Sequence, residues 1–261
     1  MKTYTKDSLI QELKEIKQMG WVPNARPGNV GGVGNTLEDL LGIKENNLPI
    51  PNAAEWELKC QRLNSGSLTT LFHMEPSPTA YRFVPQILLP KYGWKHQQAG
   101  TLYPLGEMSF RQTINGRTGT DRGFRVVVDR TARKVMISFN YLAVGEHHKE
   151  WLESVGHRVG LGELSLQPYW GFDDLFHKAG TKLLNAFYVQ AESRKDDGVE
   201  FLHYCRIQIL RKFDFEHFLN AIEGGNVLVD FDARTGHNHG TKFRLKQDCL
   251  PDLYDDITEI S

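Results

Sequence analysis

The sequence predicts a mixed α/β fold, a central mixed sheet flanked by helices. Two periodicities support this. Apolar residues recur at helical spacing in Leu9, Leu13 and Ile16 and again in Phe215, Phe218, Leu219 and Ile222. Strand-like runs lie among them: Trp56 to Cys60, Phe124 to Val128, Phe201 to Leu210 and Val227 to Phe231. The third observation is continuity. No long repeat, low-complexity linker or sharp change of composition divides the 261 residues, so we expect one domain over 1–261, folded as two lobes around a groove.

In chain order, Asp7 or Ser8 is expected to cap a first helix that Gly20 ends. Trp21 to Pro27 is extended. The glycine-rich stretch Gly28-Asn29-Val30-Gly31-Gly32-Val33-Gly34 lacks the Lys-Ser/Thr ending of a phosphate-binding loop and follows no clear strand. It reads as a close-approach turn into a helix. That helix is expected to start at Asn35-Thr36, with Glu38 or Asp39 as capping partner, Leu37, Leu40 and Leu41 as apolar face and Gly42 as stop. By spacing alone Glu38 is a first-turn acid favoured by the helix dipole. Pro49 and Pro51 then restrict the approach to the next strand.

In that strand Trp56, Leu58 and Cys60 alternate with Glu57, Lys59 and Gln61. Period two sends the first set to the core and projects Glu57 and Lys59 together from the other face. Ser67 to Met74 is a strand ended by Pro76 and Pro78, with His73 a packed or surface histidine. Leu105 to Ile114 is a strand followed by an Asn115-Gly116 turn. Phe124 to Val128 and Val135 to Phe139 form a hairpin around Arg130-Thr131-Ala132-Arg133. Gly171 to Lys178 is a short helix, and Phe187 to Ala191 and Phe201 to Leu210 are strands. The Phe215–Ile222 helix ends at Gly224-Gly225, Val227 to Phe231 is a strand, and a last strand lies near Phe243 to Leu245.

Charge narrows the function classes. The formal net charge is -1, which argues against a surface coated in basic residues for non-specific nucleic-acid binding but leaves room for a groove with positive walls. Arg111, Arg117, Arg122, Arg125, Arg130, Arg133 and Lys134 face only Asp121 and Asp129 between positions 111 and 134, while the C-terminus is acidic. No apolar run approaches a membrane span, so no membrane association is expected, and Met1 to Lys6 lead into an amphipathic pattern without a signal-peptide core. Cys60, Cys205 and Cys249 are widely spaced and odd in number, matching neither a disulfide framework nor a zinc pattern. Free thiols in a reducing cytoplasm fit.

The chemistry-bearing residues leave alternatives open. Glu57 and Lys59 are either a salt-bridged surface pair or a carboxylate and ammonium placed to hold a divalent cation and poise a water, with Asn52 as a third candidate. The hairpin arginines are a solvated face or a phosphate grip. In Arg234-Thr235-Gly236-His237-Asn238-His239-Gly240-Thr241 the two histidines have no neighbouring cysteine or third histidine, so zinc is weakly supported and hydrogen bonding to base edges competes.

Taken in order, Gly32-Val33-Gly34-Asn35-Thr36-Leu37-Glu38-Asp39-Leu40-Leu41, Pro51-Asn52 with Glu57-x-Lys59, Leu68-x-Thr70-Leu71-Phe72, Ala191-Glu192-Ser193 and His237-x-His239-Gly240-Thr241-x-Phe243-Arg244 resemble the MvaI/BcnI family of restriction endonucleases. These are relatives of the mismatch-repair nicking enzyme MutH within the PD-(D/E)XK nuclease fold. The likeness runs from about Gly20 to Leu245. It implies a monomer that cuts double-stranded DNA with Mg²⁺ at a C-C-N-G-G-type site, one strand at a time, with two lobes around a DNA cleft and a companion DNA methyltransferase protecting host sites. It places the catalytic motifs in 28–62 and the recognition segment at about 226–246. By position Glu57 is the metal-binding acid, Lys59 the motif lysine and Glu38 the added helical carboxylate. His237, His239 and Arg244, with Arg234 beside them, fall in the base-reading segment, His73 near a position that reads the central pair, and Arg111, Arg117 and Arg122 among the DNA-binding candidates.

The chain departs from the family at Asn52, where the family has aspartate. Asparagine offers Mg²⁺ a carbonyl oxygen but no charge. An engineered trap, a natural site in which Glu38 and Glu57 suffice, and a protein that binds DNA without cutting it all fit. The alternative function is therefore a catalytically impaired DNA-binding protein or a MutH-like nicking repair enzyme.

Overall fold

The computed structural model describes residues 4–29, 31–43, 56–63 and 65–261. In chain order these form α1 (Lys6–Gln18), β1 (Trp21–Pro23), α2 (Gly32–Leu41), β2 (Glu57–Arg62), β3 (Thr69–His73), α3 (Leu89–Tyr92), β4 (Trp94–Lys95), β5 (Met108–Ile114), β6 (Arg122–Asp129) and β7 (Lys134–Val144). Then follow α4 (Lys149–Val159), β8 (Tyr169–Gly171), α5 (Phe172–Leu183), β9 (Asn185–Asp196), β10 (Val199–Phe213), α6 (Phe215–Glu223), β11 (Val227–Arg234), β12 (His237–Asn238), β13 (Lys242–Leu245) and β14 (Tyr254–Ile260). The mixed α/β class expected from the sequence is the class observed. No helix among the described residues is long and apolar enough to cross a membrane.

Contacts divide the chain into two compact units, Met1–Thr69 with Ala179–His217 and Lys246–Ser261, and Thr70–Lys178 with Phe218–Leu245. The first holds a mixed sheet ordered β1-β10-β9-β2, with β14 on the far end of β10. β2 runs parallel to β9, and the other pairings are antiparallel. Asp197 and Gly198, both at positive φ, turn β9 into β10, the backbone demanded by a tight hairpin. Leu9, Leu13 and Ile16 of α1 and Val33, Leu37 and Leu41 of α2 bury one face of this sheet against Trp56, Leu58, Phe187, Val189, Tyr204 and Ile209.

Both helices start earlier than their sequence signals suggest. Thr5, not Asp7 or Ser8, caps α1, and Ser8 closes the capping box from inside the helix. α2 begins at Gly32, ahead of Asn35-Thr36, with no side-chain cap. Thr36 is used otherwise: its hydroxyl donates to Asn24 Oδ1 at 3.0 Å and accepts from the Ala25 amide at 3.0 Å, tying the helix to the preceding loop. The close approach sits at Gly32, where a Cβ would fall 2.7 Å from the Arg26 carbonyl oxygen.

The second unit holds a sheet ordered β3-β13-β11-β5-β4, with β12 on β11, and a three-stranded sheet β6-β7-β8. Its core is aromatic: Phe72 stacks on Phe243 at 5.0 Å, and Phe124 meets Phe110 edge-on at 5.5 Å. The elements that sequence periodicity passed over are α3, α4 and β14 along with the short β4, β8 and β12, while β1 lies within the stretch read as extended. α4 buries only Trp151 and Val155, too narrow a stripe to stand out. β14 reads Tyr254-Asp255-Asp256-Ile257-Thr258-Glu259-Ile260, and its acids obscure the alternation. They pair across the strand instead, Asp256 with Arg211 at 3.0 Å and Glu259 with Arg206 at 2.9 Å.

Gly32→Ala is expected to lower stability by about 1–3 kcal/mol, the usual cost of forcing an atom into a filled space. Gly34→Ala, whose Cβ would lie 4.0 Å from Cys60 Cβ, should be neutral or stabilising. Urea midpoints of the two variants test this, and equal midpoints would remove the close-approach explanation.

Candidate active site

β2 carries the central pair, and its parallel pairing with β9 sets Lys59 beside Tyr188 and Gln61 beside Gln190. Lys59 Nζ donates to Glu57 Oε1 at 2.8 Å, and the two side chains are only 12% and 7% exposed. The solvated-face reading therefore fails. Glu57 and Lys59 leave the apolar core on the Leu58 side and enter a second, polar interior. In it Tyr188 Oη donates to Gln61 Oε1 at 2.5 Å, and Gln190 Nε2 donates to Tyr188 Oη at 3.1 Å and to Asp248 Oδ1 at 2.6 Å. A buried charge needs such company, because desolvation costs several kcal/mol per ion.

The second carboxylate oxygen is the informative atom. Glu57 Oε2 is buried and accepts no hydrogen bond among the described residues. Lys182 Nζ, from the last turn of α5, stands 3.9 Å from it. Tyr254 Oη is likewise buried without a hydrogen-bond partner among the described residues. Burial, reinforced by the Glu57 charge, raises the Tyr254 phenol. An unsatisfied buried oxygen costs about 1–3 kcal/mol, more when charged. A hard divalent cation at Oε2 would supply the missing partner, and a carboxylate oxygen is the donor type such a cation takes.

α2 packs on the other side of β2, where its Gly34 approaches Cys60. Burial pushes the Cys60 thiol up, and the Glu38 carboxylate adds to that rise. Glu38 is half-buried and flanks β2 at Cys60. Asn52 lies outside the described residues. At the far end of β2, Arg62 donates to both oxygens of Glu200, at 2.9 and 3.3 Å, and Asn24 Nδ2 donates to Glu200 Oε2 at 2.6 Å. This clamp pins β2 to β10 and to the residue after β1.

The second unit gathers most of the predicted DNA-contacting residues. β11 alternates Asp230, Asp232 and Arg234 on one face, facing Thr113 and Arg111 of β5 and Lys242 of β13. Asp232 lies 3.4 Å from Arg111 and 3.7 Å from Lys242, and Asp230 lies 3.4 Å from Arg244 and accepts from Thr113 at 2.7 Å. Arg234 pairs with Glu107 at 2.9 Å over the Tyr103 ring. His237 and His239 are exposed with near-parallel rings 6.5 Å apart. Exposed His73 adjoins the same loop, since a Cβ on Gly240 would lie 3.4 Å from it. Glu75 fixes that loop by accepting from the Thr241 amide at 3.0 Å and its hydroxyl at 3.1 Å.

The remaining arginines differ. Arg117 is exposed in the turn after β5. Arg122 is packed between Trp94 and Trp151, 4.1 and 5.0 Å from their rings, and burial lowers its pKa. Of the hairpin pair, Arg130 binds Asn220 and Glu223, and Arg133 binds Asp173. Sequence reasoning passed over Lys182, Tyr254, Asp230, Asp232 and Glu75. Only the Asp-Phe-Asp-x-Arg alternation of β11 carried a readable signal.

Burial raises the Glu200 carboxyl, but the hydrogen bonds from Asn24 and Arg62 outweigh it and hold the group below its ordinary value. Its contribution to stability is therefore complete above the usual carboxylate range and fades as pH falls through the depressed folded value. Glu200→Gln should cost about 1–3 kcal/mol at pH 7 and progressively less toward pH 3. Urea unfolding at both pH values checks the sign, and an equal deficit at both would refute it.

The model of the MvaI/BcnI restriction endonuclease family matches residues 10–254. No curated protein matches at a significant level. Among solved structures, restriction endonuclease MvaI in complex with cognate DNA substrate is similar at a TM-score of 0.77 and 22% identity, covering 99% of this chain and 100% of that one. MvaI in the absence of DNA is similar at a TM-score of 0.56 and 22% identity, covering 100% of each chain. At that identity the likeness shows the restriction-endonuclease-like fold.

Proposed function

The chain belongs to the MvaI/BcnI restriction endonuclease family and is thereby a type II site-specific deoxyribonuclease, and from that premise we propose how it acts. The reading is Mg²⁺-dependent hydrolysis of double-stranded DNA at a short C-C-N-G-G-type site, one strand at a time, by a monomer with a PD-(D/E)XK site related to that of MutH. A cognate DNA methyltransferase would protect the host's own sites. The observation that supports the catalytic part is the open Oε2 of Glu57 beside Lys59.

In this reading Glu57 and the Asn52 side-chain carbonyl would hold the metal, and Glu38, which α2 carries on the Cys60 side of β2, would be the third ligand by its position in the family pattern alone. When bound, Mg²⁺ supplies Lewis acidity and lowers the pKa of an attached water. Lys59, anchored by Glu57 Oε1, orients the attacking water and offsets charge growing on the phosphorus. Lys182 holds Glu57 from the opposite side. In the other unit, Arg244 and Arg234 suit guanine O6 and N7, while His237, His239 and His73 each reach a base edge. Asp230 and Asp232 keep the cationic face neutralised until DNA replaces them.

A second reading rests on Asn52 and Lys182 together. One carboxylate between two ammonium groups favours a phosphate over a divalent cation, and the aspartate that would restore balance is missing. A unit charge at about 4 Å is worth roughly 4 kcal/mol at an effective dielectric of about 20. The chain would then bind its site sharply and cut it poorly.

A supercoiled plasmid carrying C-C-N-G-G sites, incubated with Mg²⁺, separates the two readings. The first expects nicked and then linear product, with Glu57→Gln and Lys59→Ala slower by about 10²-fold or more. The second expects an intact plasmid, a specific gel shift in EDTA, and cutting restored by Asn52→Asp. Neither cleavage nor a specific shift on any sequence would end both. Arg244→Ala should weaken specific binding by about 1–3 kcal/mol in the same gel-shift assay.

A further inference from the structure

We propose that Asp121, His147 and His148 form a binding site for a borderline transition-metal ion of the zinc class, separate from the Glu57 centre. One ligand atom from each residue lies within 4.8 Å of the others. His147 Nε2 stands 3.7 Å from Asp121 Oδ2, and the two imidazoles are 4.0 Å apart between ring centroids. Ligands on a zinc ion at about 2.1 Å are roughly 3.4 Å from one another, so small side-chain rotations complete the site. Asp121 and His147 side chains are 79% and 64% exposed, which leaves room for those rotations, for entry of the ion and for a water as fourth ligand.

The backbone fixes the three residues where they are. Asp121 precedes β6, and the histidines follow β7. The Gly145 amide donates to the Asp121 carbonyl at 2.8 Å, and the His148 amide donates to the Gly145 carbonyl at 2.9 Å. Arg122 pairs with Val144 in the ladder. The cluster therefore sits at the open end of the β6–β7 hairpin, at the entry to α4, which Trp151 anchors through a hydrogen bond to the Tyr92 carbonyl at 3.0 Å. A bound ion would clasp that end.

Two imidazole nitrogens and one carboxylate oxygen select zinc, nickel or copper over magnesium, so this centre and the oxygen donors proposed around Glu57 differ in preference. The charges nearby nearly cancel. Arg122 is turned onto the faces of Trp94 and Trp151, and Lys149 is paired with Glu146.

The test uses the full chain without a histidine tag, in excess Mg²⁺, with zinc chloride as the probe in equilibrium dialysis and thermal unfolding. The wild type should bind one more zinc equivalent than His147→Ala, bind it at least tenfold more tightly than Asp121→Asn, and gain thermal midpoint with zinc where His147→Ala does not. Glu57→Gln should retain that equivalent. Equal zinc binding by wild type, His147→Ala and Asp121→Asn would overturn the proposal, as would loss of the equivalent in Glu57→Gln or no zinc binding by the wild type. Either His147→Ala or Asp121→Asn alone decides the matter, since both side chains are exposed and neither is needed for the core.

Discussion

Burying the Glu57 carboxylate costs several kcal/mol of solvation unless other groups replace the lost water. The first unit is organised around meeting that cost only in part. Lys59 satisfies one oxygen, Lys182 supplies charge at a longer distance from the other, and Tyr254 has a buried hydroxyl that finds no hydrogen-bond partner among the described residues. β14 belongs to the account because its first residue is that tyrosine. The Arg62–Glu200–Asn24 clamp belongs to it because it holds the far end of the strand on which Glu57 is mounted. A partly satisfied buried carboxylate is a poor stability device and a ready ligand, which is why the proposed catalytic role falls to this strand among those of the sheet.

The second unit uses charge differently. Its basic residues are already partnered by Asp230, Asp232 and Glu107, on strands whose other face is packed with phenylalanine. A near-neutral surface of this kind limits non-specific attraction to phosphates. In the proposed reading it also makes productive binding depend on a DNA sequence that gives each arginine and each freed acid a partner. The overall charge of -1 is consistent with a protein that selects by matching pairs.

What could be read from the sequence follows from what makes a signal local. The Trp56-to-Cys60 alternation placed Glu57 and Lys59 on one side of a strand, because pleating depends only on neighbouring residues. Their burial was not readable, since it comes from β9 and the C-terminal segment, far away in sequence. Lys182 ends an amphipathic helix and looks like any terminal lysine. Tyr254 stands at the head of an acidic strand whose alternation is hidden by cross-strand pairs to Arg206 and Arg211. Arg122, an arginine in a basic run counted toward DNA, is packed between two tryptophans that sequence distance conceals.

The account rests on the Glu57 oxygen that accepts no hydrogen bond among the described residues being a metal ligand. A high-resolution structure of the chain with Mg²⁺ and a DNA duplex bearing the site tests this most directly. It should show an ion about 2.1 Å from Glu57 Oε2, with Lys59 still on Oε1. An ion bound elsewhere, or Oε2 taken up by Lys182 or Tyr254 with no metal beside it, would contradict it.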